Sequence, residues 1–304
     1  MRISLLILAA MLLQNTILQA QQDEMFTQYM HNEVSINPAY AGSKEGVNVT
    51  ALYRNQWMQM EGAPRTYTLN MHTPIPGDKV GLGLSLFHDQ IGIHEQLKLF
   101  GAYSYKIKLG EERNLRLGLL AGIINFQSDF SNLTPKNSAD KNFSSPSVKN
   151  LHMNFGAGVF YYMPDFYVGL SVPNIIPNTS MYEGEAFMSR QQHAYLTSAY
   201  VFELSPDIKL KPSLIYKFTY GAPMQLDLST NVIFHDFLWT GINWRTQDSI
   251  DLLLGLQPTR QIYIGYAYDY GISSLADYHS GSHEILLSYR FSISTNRVLT
   301  PRYY

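Results

Sequence analysis

The stretch LKLFGAYSYKIKL, residues 97–109, decides the fold. In an extended chain Leu97, Leu99, Tyr103, Tyr105 and Ile107 fall on one side, and Lys98, Ser104, Lys106 and Lys108 on the other. Successive side chains of a pleated backbone leave on opposite faces, so this alternation marks a strand. A helix would scatter the same residues round its circumference.

The pattern recurs in VNVTALYRNQW (47–57), VGLGLSLF (80–87), LRLGLLAGI (115–123), QLDLSTNVIF (225–234) and IYIGYAYDY (262–270). Read throughout, the chain gives about fourteen strands, near 47–57, 65–73, 80–89, 96–109, 113–126, 152–163, 165–172, 192–204, 207–219, 223–234, 237–246, 250–257, 261–270 and 282–292. A closed antiparallel bacterial barrel needs an even number. Two places fit less easily. HAYLTSAYVF, within 192–204, does not declare an apolar face, and Pro212 removes one ladder N–H from a barrel with no free edge.

Composition points the same way. The chain has 22 tyrosines and 13% aromatic residues but only 15% charged residues, against about 25% in ordinary soluble domains. A net charge of −2 gives no reason to expect nucleic acid as a partner. The absence of cysteine excludes a lipid-modified cysteine anchor, a disulfide framework, a zinc–thiolate site and a thiol nucleophile. MRISLLILAAMLLQNTILQA reads as a secretory signal peptide over 1–20, with Arg2, an apolar run over Leu5–Leu13 and a small-residue end before Gln21. That run is well short of the ~20 residues a spanning helix needs, and no later stretch is long enough either.

The connections test the barrel independently. With strand 1 running outward, PIPGDK, GEE, Pro164, Ser205-Pro206, His235-Asp236 and PTR become tight periplasmic turns. MQMEGAP, 128–150, 173–190 and GISSLADYHSG become extracellular loops, so every long connection falls at one end. A soluble sandwich has no reason to sort loop length by parity. The expected fold is therefore all-β: a transmembrane antiparallel β-barrel over 47–292, with short periplasmic turns, longer extracellular loops and a periplasmic tail over 293–304.

Lipid sets the orientation of the strands. A Lys or Arg on the lipid face at mid-membrane costs about 2–4 kcal/mol, which places Lys98, Lys106, Arg116 and Arg290 in the lumen or near an interface. The lumen set also takes Asn70, Asp227, Asp269 and Glu284, a mixture of signs suited to pairing across the lumen or to binding the N-terminal segment. Tyr67, Tyr103, Tyr105, Tyr161, Tyr266, Tyr268, Tyr270 and Tyr289 are candidates for aromatic girdles.

Reactive chemistry finds little support. Asp277, His279, His283 and Glu284 are possible metal ligands by type, but their spacing matches no standard signature, and a structural role closing the loop into the last strand fits better. Ser280, Ser282 and His283 cannot form a nucleophile–base pair as near neighbours on a strand with no third orienting group. His94-Glu95 lacks the second histidine of a zinc-protease helix. No enzymatic activity, cofactor or metal is expected. Arg54, Gln56 and Trp57 at the outer rim read as an interfacial Trp with lumen-facing neighbours, or, together with Gly62, Ala63 and Pro64, as a docking patch.

Seven segments carry a resemblance to a known family: QYMHNEVSINPAYAGS (28–43), LYRNQW (52–57), GAPRTYTLNMHTP (62–74), GLGLSLFHDQIG (81–92), YVGLSVPNI (167–175), IGYAYDY (264–270) and GSHEILLSYRF (281–291). Together they resemble the PorP/SprF family of outer-membrane proteins associated with the type IX secretion system of Bacteroidetes. Glu33 and Val34 stand where a more apolar pair is expected. The resemblance implies a non-enzymatic outer-membrane barrel, embedded in outer-membrane lipids, that supports export or surface attachment of a secreted cargo such as an adhesin. In gliding relatives it implies a part in motility, and as partners it implies periplasmic ring proteins of PorK/PorN type. Family-motif or partner-binding positions are then Asn37, Pro38, Tyr40, Gly42, Arg54, Gln56, Trp57, Gly62, Pro64, Asp269, His283 and Glu284. A diffusion pore or hydrophobic-substrate transporter of similar strand number is the alternative.

SINPAYAG (35–42) has no period of its own. Asn37-Pro38 favours an extended or turn conformation, and Gly42 permits positive φ. The expectation is that 21–46 folds back into the periplasmic mouth and partly occludes it, with Tyr40 as its anchor.

Overall fold

A computed structural model describes residues 24–130, 147–176, 178–182, 185–190, 192–219 and 223–292. The expected signal peptide and C-terminal tail lie outside these residues.

The first half of the barrel is built from β1 (Val47–Asn55), β2 (Arg65–Pro74), β3 (Val80–Ile91), β4 (His94–Lys108), β5 (Asn114–Asp129), β6 (Ser147–Met163) and β7 (Phe166–Val172). β8 (Asn178–Tyr182) and β9 (Glu185–Arg190) pair only with each other, as a hairpin inside the long connection after β7. The wall resumes with β10 (His193–Tyr200), β11 (Phe202–Ser205), β12 (Ile208–Thr219), β13 (Gln225–Phe234), β14 (Leu238–Arg245), β15 (Ser249–Leu256), β16 (Ile262–Gly271) and β17 (Ser282–Phe291).

Every neighbour in the wall is antiparallel. β1 pairs with both β2 and β17, and β10 with both β7 and β12, so the sheet closes on itself. β10 and β11 form one stave, because Ala199 faces Ser213 and Phe202 faces Leu210 in the same register. That makes a closed fourteen-stave barrel, the only arrangement of strands that leaves no unpaired edge in lipid. The break at Val201 adjoins the position where this register sets Tyr200 opposite Pro212. Pro212 has no N–H to give the ladder there, yet it keeps its register with Thr230 on the other side.

The stave expected over 192–204 also declares its faces. His193, Tyr195, Thr197, Ala199 and Val201 are buried, whereas Leu196, Tyr200 and Phe202 face outward. Two expected loops are corrected. β5 runs to Asp129 and β6 starts at Ser147, so the ladder Ser128↔Val148 claims both ends of the stretch 128–150; 131–146 lies outside the described residues. The stretch 173–190 carries the β8–β9 hairpin. The ends otherwise sort as expected. At one end the longest links are 75–79, 109–113 and 257–261, while the other end holds 56–64, 130–146, 173–192 and 272–281.

The faces are inverted relative to a soluble protein. Leu69, Leu84, Leu99, Leu119, Leu228, Leu252 and Ile285 point outward, Leu119 with 64% of its surface exposed. Asn70, Ser85, Lys98, Ser104, Arg116, Asp227, Asn243, Asp251, Asp269 and Glu284 are buried on the inner face. The apolar core is inside the lumen, where residues of the segment 24–46 pack against the wall. Phe26 joins Leu52, Phe87, Phe100, Leu120, Ile124 and Leu286. Tyr29, Met30 and Ile36 join Tyr195, Ile215 and Leu253, and Val34, Ala39, Tyr40 and Ala41 join Phe160, Tyr162 and Tyr167.

Candidate functional site

The site is the lumen together with the segment that occupies it. From Gly46 at the short-turn end of β1, the segment climbs to the tier of Arg54 at the long-loop end. On the way it touches β2, β4, β7, β12, β16 and β17 through hydrogen bonds. It has no long helix; three single 3-10 turns, Tyr29–His31, Glu33–Ser35 and Pro38–Tyr40, fold it compactly.

The third turn explains the sequence INPAYAG. Asn37 is extended (φ −130°, ψ 109°) and its side-chain oxygen accepts from the Ala39 N–H at 3.0 Å, capping the turn that Pro38 opens. Its amide nitrogen donates to the Val159 carbonyl at 3.1 Å. Tyr40 meets His72 and Phe160 edge-on, with centroids 5.3 and 5.2 Å away. Gly42 has φ +69°, and a β-carbon there would stand 2.6 Å from Gly81 Cα, so both backbone and space require glycine. The Gly42 N–H donates to His72 Nδ1 at 3.2 Å. Its carbonyl accepts from Arg116 at 2.6 Å, and Arg116 also donates to the Ser104 hydroxyl at 2.9 Å.

The wall is shaped to receive this turn. β-Carbons at Gly81, Gly118 and Gly158 would collide with the Ala41 carbonyl, the Ala39 backbone and the Asn37 side chain. Gly81 and Gly83 of β3, Gly118 of β5 and Gly158 of β6 are thus a footprint for the segment rather than only a means of close strand packing.

The upper end is held by charge. Arg54 pairs with Asp269 at 2.7 Å and Glu284 at 3.2 Å; Arg245 pairs with Asp227 at 2.8 Å. The two oxygens of Glu284 accept the backbone N–H groups of Thr27 and Gln28 at 2.9 and 2.8 Å. The Thr27 hydroxyl donates to Asp269 at 2.8 Å and accepts from Arg54 at 3.1 Å. The charged partners of Thr27, which are Glu284, Asp269, Arg54 and, donating to its hydroxyl at 3.4 Å, Arg245, are all buried, so these bonds act in a low dielectric where pairing matters most. Lower down, buried Glu33 accepts from the Tyr167 hydroxyl at 2.7 Å and the Thr197 hydroxyl at 3.4 Å. Burial pushes its carboxyl up to about 7, against the lowering pull of the Tyr167 hydrogen bond.

The sequence-derived positions therefore separate into two groups. Asn37, Pro38, Tyr40, Gly42, Arg54, Asp269 and Glu284 meet in the lumen. Gln56, Trp57, Gly62 and Pro64 build the rim: the Gln56 N–H donates to the Pro64 carbonyl at 3.0 Å, the Trp57 N–H to Ser282 at 3.2 Å, and Gly62 accepts from Gly92 at 2.9 Å. His283 leaves its strand on the outer face, where Nδ1 lies 2.7 Å from the Tyr266 hydroxyl, opposite to Glu284. Among the described residues no group of His, Asp and Glu is arranged to hold a metal.

Sequence reasoning did not find Thr27, Gln28, Arg245 or the glycine footprint. The available signal was the run of apolar residues on the polar face: Leu52, Phe87, Phe100, Leu120 and Ile124 have no use in a water-filled lumen.

Among solved structures, the monoaromatic hydrocarbon channel CymD superposes with a TM-score of 0.50 at 11% identity, covering 89% of this chain and 94% of its own. The outer membrane protein Omp33 of Acinetobacter baumannii gives 0.49 at 8% identity, covering 82% and 100%. A Pseudomonas aeruginosa FadL homologue gives 0.49 at 13%, covering 84% and 93%. At such identities the likeness is one of fold. Among curated proteins none matches this chain in sequence. The family model for the type IX secretion system membrane protein PorP/SprF matches residues 18–289, nearly the whole chain with both lumen and rim, and the chain belongs to that family.

Proposed function

We propose that this outer-membrane barrel is a plugged, non-enzymatic scaffold of type IX secretion. It supports export or surface attachment of a secreted protein such as an adhesin through protein contacts. In this reading periplasmic ring proteins of PorK/PorN type meet the short-turn end and the cargo meets the long loops. One observation carries it: residues 24–46 fill the lumen with a packed core and buried ion pairs, where a diffusion pore or hydrophobic-substrate transporter would need an open path.

Reconstitution in planar bilayers tests the reading. The purified chain should show little open-channel conductance and should copurify with secretion components, and removal of 24–46 should raise the conductance. Large, stable conductance from the full chain, with no secretion partner in pull-downs, would favour the transporter instead. Excising 173–190 should impair cargo display while leaving the barrel heat-modifiable on gels. Undiminished display would remove that loop as a cargo site.

A further inference from the structure

The far end of the lumen segment lies on the side of the long loops. Gly46 marks its lower end: it precedes Val47, which faces Phe291 at the foot of β17, and a β-carbon on Gly46 would stand 2.2 Å from the Phe291 carbonyl oxygen. The Asn48 side chain donates to the Glu45 and Gly46 carbonyls at 3.1 and 3.2 Å, closing the bend into β1. From there the segment turns through the lumen, and His31 still lies low, stacked on Tyr263 at 4.1 Å near the start of β16. The last leg then rises. Thr27 is bound by Asp269, two residues before β16 ends, and by Glu284, two residues after β17 starts. Glu24 pairs with Lys98, four residues into β4 from its long-loop end. Phe26, between these two anchors in the chain, packs on Phe87 with ring centres 6.5 Å apart. Pro173 and Asn174, from the long connection after β7, line one small cavity with Glu24 and Phe26.

We propose that the segment is a strap that crosses the membrane inside the barrel and presents the amino-terminal end of the mature chain on the outer surface. By loop length the long-loop end faces outward. Cleavage before Gln21 leaves three residues, Gln21–Asp23, ahead of Glu24. Three extended residues span about 10 Å at most, whereas the hydrocarbon layer is about 30 Å thick. The free end therefore cannot return to the periplasm while Glu24 and Thr27 hold their places. The strap has one covalent exit, through Gly46 into β1 on the periplasmic side, and one free end on the other. A protein outside the cell meets the free end, and one in the periplasm meets only the stalk that enters β1. This disposition goes beyond the scaffold reading: it follows from the path of the chain and holds whichever protein the barrel serves.

Cysteine labelling on intact cells tests it, because the chain has no cysteine of its own. The reagent is a maleimide on a polyethylene glycol too large for the pores of the outer membrane. Glu61→Cys in the 56–64 loop and Glu111→Cys in the 109–113 turn, both exposed positions, report the two sides. Gln22→Cys should label in intact cells at a rate close to that of Glu61→Cys. It should react at least ten-fold faster than Glu111→Cys, which waits for the outer membrane to be permeabilised. Glu24→Cys repeats the measurement whatever the cleavage point, since the grip of Glu284 on Thr27 remains when the pair to Lys98 is lost. Heat-modifiability on gels shows that each variant has folded. Labelling of either segment cysteine in intact cells supports the proposal. Reaction of neither until the membrane is permeabilised or the chain denatured would overturn it.

Discussion

The two ends of the lumen hold the same segment by different physics. At the long-loop end, Glu284 on β17 grips the backbone of Thr27 and Gln28, Asp269 on β16 takes the Thr27 hydroxyl, and Arg54 and Arg245 balance the carboxylates. Toward the short-turn end, the turn at Pro38–Tyr40 lies against bare backbone at Gly118 and Gly158, with neutral Asn37 hydrogen bonds at its edge and a single charged donor, Arg116, on the Gly42 carbonyl that follows. The first kind of grip is strong only while every partner is present, because a buried charge left alone is costly. The second depends on shape and fails when volume is added. Loss of a carboxylate and gain of a methyl group should therefore attack opposite ends of one segment, with distinguishable signatures.

The largest effect is expected from Glu284→Ala. It removes one of the two carboxylates on Arg54 and the acceptor of two segment N–H groups. Breaking a buried pair in this way costs about 3–5 kcal/mol. Limited proteolysis should then cut near Thr27 while the barrel stays heat-modifiable. Glu284→Gln keeps the shape and one acceptor and should fall between the two. Protection equal to wild type in Glu284→Ala would mean that the charged grip contributes nothing to docking.

Gly118→Val comes next. The added carbons collide with the Ala39 backbone, and overpacking of this kind costs about 1–3 kcal/mol. Its companion is Gly101→Val on the outer face of β4, where the nearest atom to an added β-carbon is the Ala121 carbonyl oxygen at 3.8 Å. That variant should unfold in urea at or slightly above the wild-type midpoint, since a branched residue suits an exposed strand position. Equal losses from both would show that glycine serves the strand itself and not the footprint.

Much of this molecule is written in a period of two. Alternation placed the staves and their faces, and lipid forced Lys98, Arg116 and Asp227 inward, because only one face of each stave meets hydrocarbon. The β8–β9 hairpin was not legible, since it lies in a connection whose strands pack only on each other. The segment 24–46 has no period, so its path was not legible beyond Asn37, Pro38 and Gly42. Its partners left traces, however, in glycines and large apolar side chains that share faces with lysines and aspartates. Glu33 fits no apolar expectation at its position, because Tyr167 and Thr197 come from staves far away in sequence and supply what the carboxylate needs.

Asn37 supplies the smallest effect and separates turn from wall. Its side chain does two jobs, accepting from the Ala39 N–H within the turn and donating to the Val159 carbonyl on β6. Asn37→Ala loses both, and capping residues of this kind are worth about 0.5–2 kcal/mol. Asn37→Asp keeps the cap but replaces the donor with a carboxylate oxygen facing a carbonyl, in a buried place with no cation in the contact. If the turn's own geometry positions the segment, Asp should protect residues 24–46 from protease better than Ala. If the bond to the wall matters more, Asp should do worse than Ala, because a buried charge without a partner costs more than a missing bond. The order of the two variants in one proteolysis series therefore shows whether INPAYAG is folded before it docks or is shaped by the wall.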